Sequence, residues 1–333
     1  MKRRRLGRTG LEVSEVGFGG AGIGGAYGAS TDDECVRAIR RAVELGIDFF
    51  DTSPVYGNTR SEERLGSALS GLRDRIVLAT KVRFPEEADL DDMAAFMRRS
   101  VEASLRRLRT DRVEILQIHH QLGAVRGRYM FAADPPRFAP RLTAADALRF
   151  AEGARDLVRE GKVRFLGITA WDGDKETIRA VLERGSFDTA QILYNLVNHT
   201  AAGPPPLGFD DFDQGEALVS AAANDIGVIG IRSHAAGALA DRLDRSVKPE
   251  SDVARDHARA ATLSFLRKGP VRTLSAAALR FCLDHTTIAT VVPGFKNEAE
   301  VEEAVAVTGL SPLAPEDAAE IERLYRRQFR VGL

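Results

Sequence analysis

Phe49-Phe50-Asp51-Thr52-Ser53-Pro54-Val55-Tyr56-Gly57 is the stretch from which the fold can be read. The run from Ile47 to Phe50 stops at an acid, and five residues later comes a tyrosine followed by a glycine, with a proline between. That is a strand running into a tight loop with two ionisable side chains at its outlet. Working outward, Ile76-Val77-Leu78-Ala79-Thr80 runs into Lys81, and Val113-Glu114-Ile115-Leu116-Gln117-Ile118 runs into His119. Any one of these reads as a strand-end charge facing water. Three strands that each end in a proton-handling residue read as a site.

The residue types suit one kind of chemistry. A tyrosine, with an ordinary pKa near ~10, is a poor acid at neutral pH, and a nearby cation favours its phenolate. A lysine held by a carboxylate supplies that cation, and a histidine beside the phenol orients a substrate oxygen or shares the proton. Asp51, Tyr56, Lys81 and His119 are therefore the candidate catalytic residues, for protonating a carbonyl oxygen or deprotonating an alcohol in reverse.

The same alternation extends along the chain. Arg3 to Leu6 and Leu11 to Val13 read as a hairpin around Gly7-Arg8-Thr9-Gly10. Val16-Gly17-Phe18-Gly19-Gly20-Ala21-Gly22 reads as a strand entering a glycine-rich loop, which either admits a cofactor's ring to the backbone or makes a turn. Thr31-Asp32-Asp33-Glu34 has capping-box spacing and starts a helix through Leu45. Ser61 is expected to cap a helix to about Leu69, with further helices over 91–108, 143–160, 174–184, 213–224, 273–283, 298–307 and 315–329. Strands over 163–169, 189–194, 228–231 and 288–292 complete the set. Eight short apolar strands, each followed by an amphipathic helix, predict a parallel (β/α)8 barrel as one domain over 1–333, with an N-terminal β-hairpin and long βα loops. In such a barrel functional groups gather where the strands end, and there Asp51, Lys81 and His119 fall. A doubly wound sheet is the runner-up, but Gly19-Gly20-Ala21-Gly22 lacks the dinucleotide fingerprint. The segment 121–141, with Pro135, Pro136 and Pro140, reads as a long loop of the kind that covers a binding site.

Composition narrows the function classes. A net charge of −1 over 333 residues gives no overall attraction to nucleic acid or to a membrane surface. The basic start, Met1-Lys2-Arg3-Arg4-Arg5, is followed by no apolar segment, so neither a signal peptide nor a membrane anchor is expected there. Cys35 and Cys282 lie in helical patterns and suggest buried thiols in a reducing compartment, with the cytoplasm as the expected location. The six histidines are scattered, and His119-His120 as strand neighbours point to opposite faces, so no metal site is expected.

The motifs together resemble those of the aldo-keto reductases over nearly the whole length. They are Arg4-Arg5-Leu6-Gly7-Arg8-Thr9-Gly10-Leu11, the Asp51-Thr52-Ser53 to Tyr56-Gly57 loop with Ser61-Glu62 and Leu65-Gly66, Thr80-Lys81, Leu116-Gln117-Ile118-His119, Gly161-Lys162-Val163-Arg164-Phe165-Leu166-Gly167, and Val292-Pro293-Gly294. Ile231-Arg232, Ala235 to Leu239 and Gly294-Phe295 look most like the sugar and aldose dehydrogenase subgroup. The resemblance implies NAD(P)(H) extended across the barrel mouth, with Gly19, Gly20, Asp51, Thr169, Gln191, Ile231, Arg232, Gly294, Lys296 and Glu300 along it. On that resemblance, hydride is expected to pass between nicotinamide and the carbonyl carbon of an aldehyde or ketone, or the anomeric carbon of a sugar hemiacetal, while Tyr56 exchanges the proton with the oxygen. Gln191 matches the position that holds the carboxamide, although a satisfied core amide is the simpler reading of a strand glutamine. The family's Ser-Asn pair is Thr169-Ala170 here, which keeps a hydroxyl and loses an amide. Ile231 stands where many members have a tyrosine under the nicotinamide. Glu300 would repel a 2′-phosphate and Lys296 would attract one, and the pair leans toward NAD or dual use. A nicotinamide-binding regulatory subunit is the alternative function, and a phosphate-binding barrel isomerase or lyase leaves the tyrosine and lysine unexplained.

Overall fold

The computed structural model describes residues 1–131 and 137–330. An antiparallel hairpin, β1 (Arg3–Arg5) and β2 (Glu12–Ser14), opens the chain. The strands β3 (Phe18–Gly19), β4 (Phe49–Asp51), β5 (Val77–Val82) and β6 (Val113–Ile118) alternate with helices α1 (Asp32–Glu44), α2 (Arg60–Ala68) and α3 (Met93–Leu108). A second hairpin, β7 (Gly127–Phe131) with β8 (Arg137–Arg141), precedes α4 (Ala144–Gly153) and α5 (Arg155–Arg159). Then come β9 (Val163–Thr169), α6 (Lys175–Glu183), β10 (Thr189–Leu193), α7 (Ala217–Ala223) and β11 (Gly227–Ile231). The chain finishes with α8 (Asp252–Ala260), α9 (Leu274–Asp284), β12 (Ile288–Val291), α10 (Glu298–Val307) and α11 (Pro315–Arg326).

The eight strands β3, β4, β5, β6, β9, β10, β11 and β12 pair in that order, all parallel. The ring closes between its first and last members: Gly17 N–H donates to the Val291 carbonyl and Gly19 N–H to the Pro293 carbonyl, both at 2.8 Å. The expected (β/α)8 barrel is the fold. Its N-terminal mouth is covered by the first hairpin, whose Leu6 lies against Gly227 so closely that a Cβ there would meet the Leu6 carbonyl at 2.7 Å.

Strand alternation divides the apolar residues between two cores. Phe49, Ala79, Ile115, Ile229 and Ala289 pack with Leu6 and Val13 inside the barrel. Their neighbours Phe50, Leu78, Leu116, Ile168, Ala190 and Val228 face outward into the larger core under the helices. Two residues further along the inward series stand Asp51, Lys81 and Gln117, and beyond Gln117 comes His119. The period of two that fills the barrel thus delivers the polar groups to its C-terminal rim.

Several expected boundaries shift. Ser61 does not cap α2: Thr59 precedes the helix with φ +78°, while the Ser61 hydroxyl is buried, donating to the Gly20 carbonyl at 2.8 Å and lying 2.8 Å from the Thr52 hydroxyl. The helix expected over 213–224 starts only at Ala217, because Gly215 and Glu216 take φ of +58° and +56°. That over 143–160 divides at Ala154, just after Gly153, a poor helix former. Within the segment 121–141, expected as a long loop, the described residues include the antiparallel strands β7 and β8, with Pro140 in the second. Pro135 and Pro136 lie outside the described residues.

Candidate active site

Asp51 ends β4, Tyr56 sits in the loop after it, Lys81 lies near the end of β5, and His119 follows β6. The barrel brings them together. The Lys81 ammonium is fully buried and donates to the Asp51 carboxylate at 2.6 Å, to the Thr52 carbonyl at 2.9 Å and to the Tyr56 hydroxyl at 3.0 Å. It also lies 4.5 Å from the centroid of the Tyr56 ring. His119 meets that ring edge-on at 5.7 Å, and its Nδ1 is 3.0 Å from the Ser53 hydroxyl. His120 turns the other way, accepting from Phe84 N–H at 2.7 Å, as strand alternation requires.

The second Asp51 oxygen is held by two amides. Gln117 and Gln191 donate to it from 3.0 and 2.6 Å. Gln117 was not singled out from the sequence, although its place two residues before His119 puts it on the same face. Gly167, level with it on β9, leaves room on both sides: a Cβ there would meet the Thr189 hydroxyl at 2.3 Å and Gln117 Cγ at 2.9 Å. Gln191 thus gives one amide hydrogen to Asp51.

Electrostatics at this centre are set by burial and one cation. Burial alone would push the Lys81 ammonium down, but Asp51 and Tyr56 outweigh it and hold the lysine above its ordinary range. Burial raises the Tyr56 phenol, and Lys81 draws it back without cancelling the rise. The sequence led us to expect a phenol brought below its ordinary value; in this site desolvation wins, and the phenol is neutral at physiological pH. Burial, with Arg83 and Lys81, lowers His119 well below the usual imidazole range, so it too is neutral.

The residues expected along a cofactor fall into several groups. Gly19 and Gly20 sit at the barrel seam: a Cβ on the first would meet the Pro293 carbonyl at 2.5 Å, and on the second the Ser61 hydroxyl at 2.6 Å. The seam itself accounts for both glycines. The Thr169 hydroxyl donates to the Ile118 carbonyl at 3.0 Å, and Ile231 packs at the top of the barrel interior. Arg232, with φ +55°, lays its guanidinium 5.1 Å from the Trp171 ring. From there a cavity of about 620 Å³ runs to the start of α10, lined by His234, Gly294, Asn297 and Glu300. Gly294 admits the Tyr27 ring, which a Cβ would meet at 2.5 Å. Lys296 is bonded to Asp244 and lies 3.4 Å from Glu300, whose other oxygen accepts from the Lys296 N–H at 2.7 Å.

A parallel eight-stranded barrel with this rim matches what comparison shows. Residues 15–326 fit the model of the aldo/keto reductase family, and the chain belongs to that family. Fold, site and family define an NAD(P)-dependent oxidoreductase. L-galactose dehydrogenase of Arabidopsis thaliana is 32% identical over 328 residues, covering 96% of this chain and 93% of its own. D-threo-aldose 1-dehydrogenase of a Pseudomonas species is 27% identical over 327 residues and covers 88% of each chain. Together they place the chain in the sugar and aldose dehydrogenase-like subgroup. The holo form of aldo-keto reductase AKR11C1 from Bacillus halodurans superposes with a TM-score of 0.74 at 25% identity, covering 98% of this chain and 96% of that one.

Proposed function

We propose that this chain oxidises sugar hemiacetals, and reduces the corresponding carbonyls in reverse, with Tyr56 as the proton-transfer residue. The observation that carries the reading is the Lys81 ammonium bridging Asp51 at 2.6 Å and the Tyr56 hydroxyl at 3.0 Å. Two relatives spanning most of the chain are named for aldose or galactose dehydrogenation, which directs the choice of substrate class. When bound, the nicotinamide accepts or supplies the hydride. As phenolate, Tyr56 takes the hydroxyl proton of the hemiacetal as hydride leaves its carbon, giving a lactone, and as neutral phenol it donates that proton to a carbonyl oxygen in reduction. Lys81 stabilises the phenolate, Asp51 fixes Lys81, and neutral His119 orients the substrate oxygen.

The cavity from Arg232 to α10 is of a size and polarity suited to the rest of a dinucleotide. Arg232 and the N-terminus of α10 are its positive features, and Glu300 is available to a ribose hydroxyl. Because Lys296 is already neutralised by Asp244 and Glu300, NAD or dual use is favoured over NADP. Dissociation constants for both cofactors check this, and NADP bound more than about tenfold tighter, roughly 1.4 kcal/mol, would reject it. The two cysteines, free and buried, fit a cytoplasmic protein acting on small molecules.

A screen of aldoses, aldehydes and ketones with NAD and NADP, followed by nicotinamide absorbance in both directions, tests the function. Aldose-dependent cofactor reduction is expected. Tight cofactor binding with no turnover of any of these compounds would sink it.

A further inference from the structure

Beyond the groups that move the proton, a second set of charges reaches the same rim. Arg83 lies just past β5, Gln121 just past β6, and Trp171 and Asp172 just past β9. Arg83, Trp171 and Asp172 are half-buried, as is Tyr56, whereas Lys81 and Asp51 are sealed. Arg83 donates from Nε to the His119 carbonyl at 2.9 Å, which ties it to the residue beside the phenol. Its charge is felt by Asp172, Tyr129 and His119 alike, so these groups share one space.

The carboxylate is oriented. Gln121 accepts from Arg141 Nε at 3.1 Å through its amide oxygen, and its side chain hydrogen-bonds to Asp172. Burial pushes the Asp172 carboxyl up to about 6, with Arg83, Arg232 and Gln121 opposing the rise. At neutral pH it is predominantly ionised. Trp171 is pinned from one side by the Arg232 guanidinium at 5.1 Å. A held carboxylate, a guanidinium and a fixed indole at one mouth are complementary to a polyol: the carboxylate accepts from hydroxyls, the guanidinium donates to oxygens, and the indole packs a C–H face.

We infer that Asp172 and Arg83, beside Trp171, form a clamp for the hydroxyl groups of an aldose, and that this clamp selects polyhydroxylated substrates over simple carbonyls. The inference rests on the oxidoreductase reading of the site and names the determinant of its substrate class. A site built to hydrogen-bond hydroxyls discriminates against analogues that lack them.

The test compares kcat/KM for the best aldose and for 4-nitrobenzaldehyde in the wild type, Asp172→Asn and Arg83→Gln, together with the Kd for NAD. We expect the ratio of aldose to aldehyde efficiency to fall at least about tenfold in each variant, mostly through KM for the aldose, with cofactor affinity held. A ratio that stays constant, whether both activities fall or neither does, overturns the clamp. A wild type that turns over 4-nitrobenzaldehyde but no aldose overturns the clamp and leaves the oxidoreductase standing. A wild type active on neither overturns the function and the clamp with it. Either variant alone decides the matter if the other fails to fold.

Discussion

A lysine sealed from water, with one carboxylate and one phenol in reach, acts directly on the ionisation of that phenol. Lys81 draws the Tyr56 phenol down, while burial, Asp51 and Tyr27 push it up. Removing it therefore raises the phenol further. For Lys81→Met we expect the rising limb of aldose oxidation to move up by about one pH unit or more, because oxidation needs the phenolate. Activity at pH 8 then falls about tenfold, and a pH–rate profile that overlays the wild type would contradict the coupling. Asp51, Tyr56, Lys81 and His119 were legible as types at strand ends. The direction of the Tyr56 shift was not, because desolvation depends on what packs around the ring and no residue pattern reports it. Gln117 went unread for the opposite reason: its strand position was plain, but only the barrel shows that its amide meets Asp51.

At the scale of elements, local rules worked where local interactions decide. The capping box at the start of α1 is as the spacing implied, with Thr31 accepting from the Glu34 N–H at 3.3 Å and Glu34 returning to the Thr31 N–H at 2.8 Å. Thr31→Ala is expected to lower stability by about 1 kcal/mol, read from the urea midpoint. No change would mean that tertiary packing alone holds that end. The β7–β8 hairpin escaped notice because its pattern is inverted. Met130 and Phe138 face one another across the ladder yet are exposed, while Tyr129 and Ala139 are buried. Apolar residues on both faces, interleaved with arginines, give no clean alternation to read. Ser61 misled for a related reason, since its hydroxyl was needed in the seam beside Thr52 rather than at a helix end.

Across the whole molecule, the barrel was legible because eight strand–helix repeats leave few other folds, whereas its acid sensitivity comes from what the barrel buries. His120 joins β6 to the second hairpin, with Nε2 accepting from Phe84 N–H and Nδ1 2.8 Å from the Pro140 carbonyl. Burial, aided by Arg83, lowers it to about 3. Its unfolded value is near ~6.5, so the unfolded chain takes up a proton first as pH falls. The stability it contributes is complete above about pH 6.5 and is lost toward pH 3, at up to about 1.4 kcal/mol per unit. His234, lowered to about 4, adds to the same slope. His120→Gln is expected to flatten the fall in urea midpoint between pH 7 and 5 without abolishing it, and an unchanged slope would show that other groups dominate. The central claim, that strands distant in sequence close a ring and bring one phenol to one ammonium, is tested most directly by Tyr56→Phe. Turnover of the best aldose should drop at least about 100-fold while the Kd for NAD stays within about twofold of wild type. Turnover retained at near wild-type rate, with the cofactor still bound, would mean that the proton travels by another route.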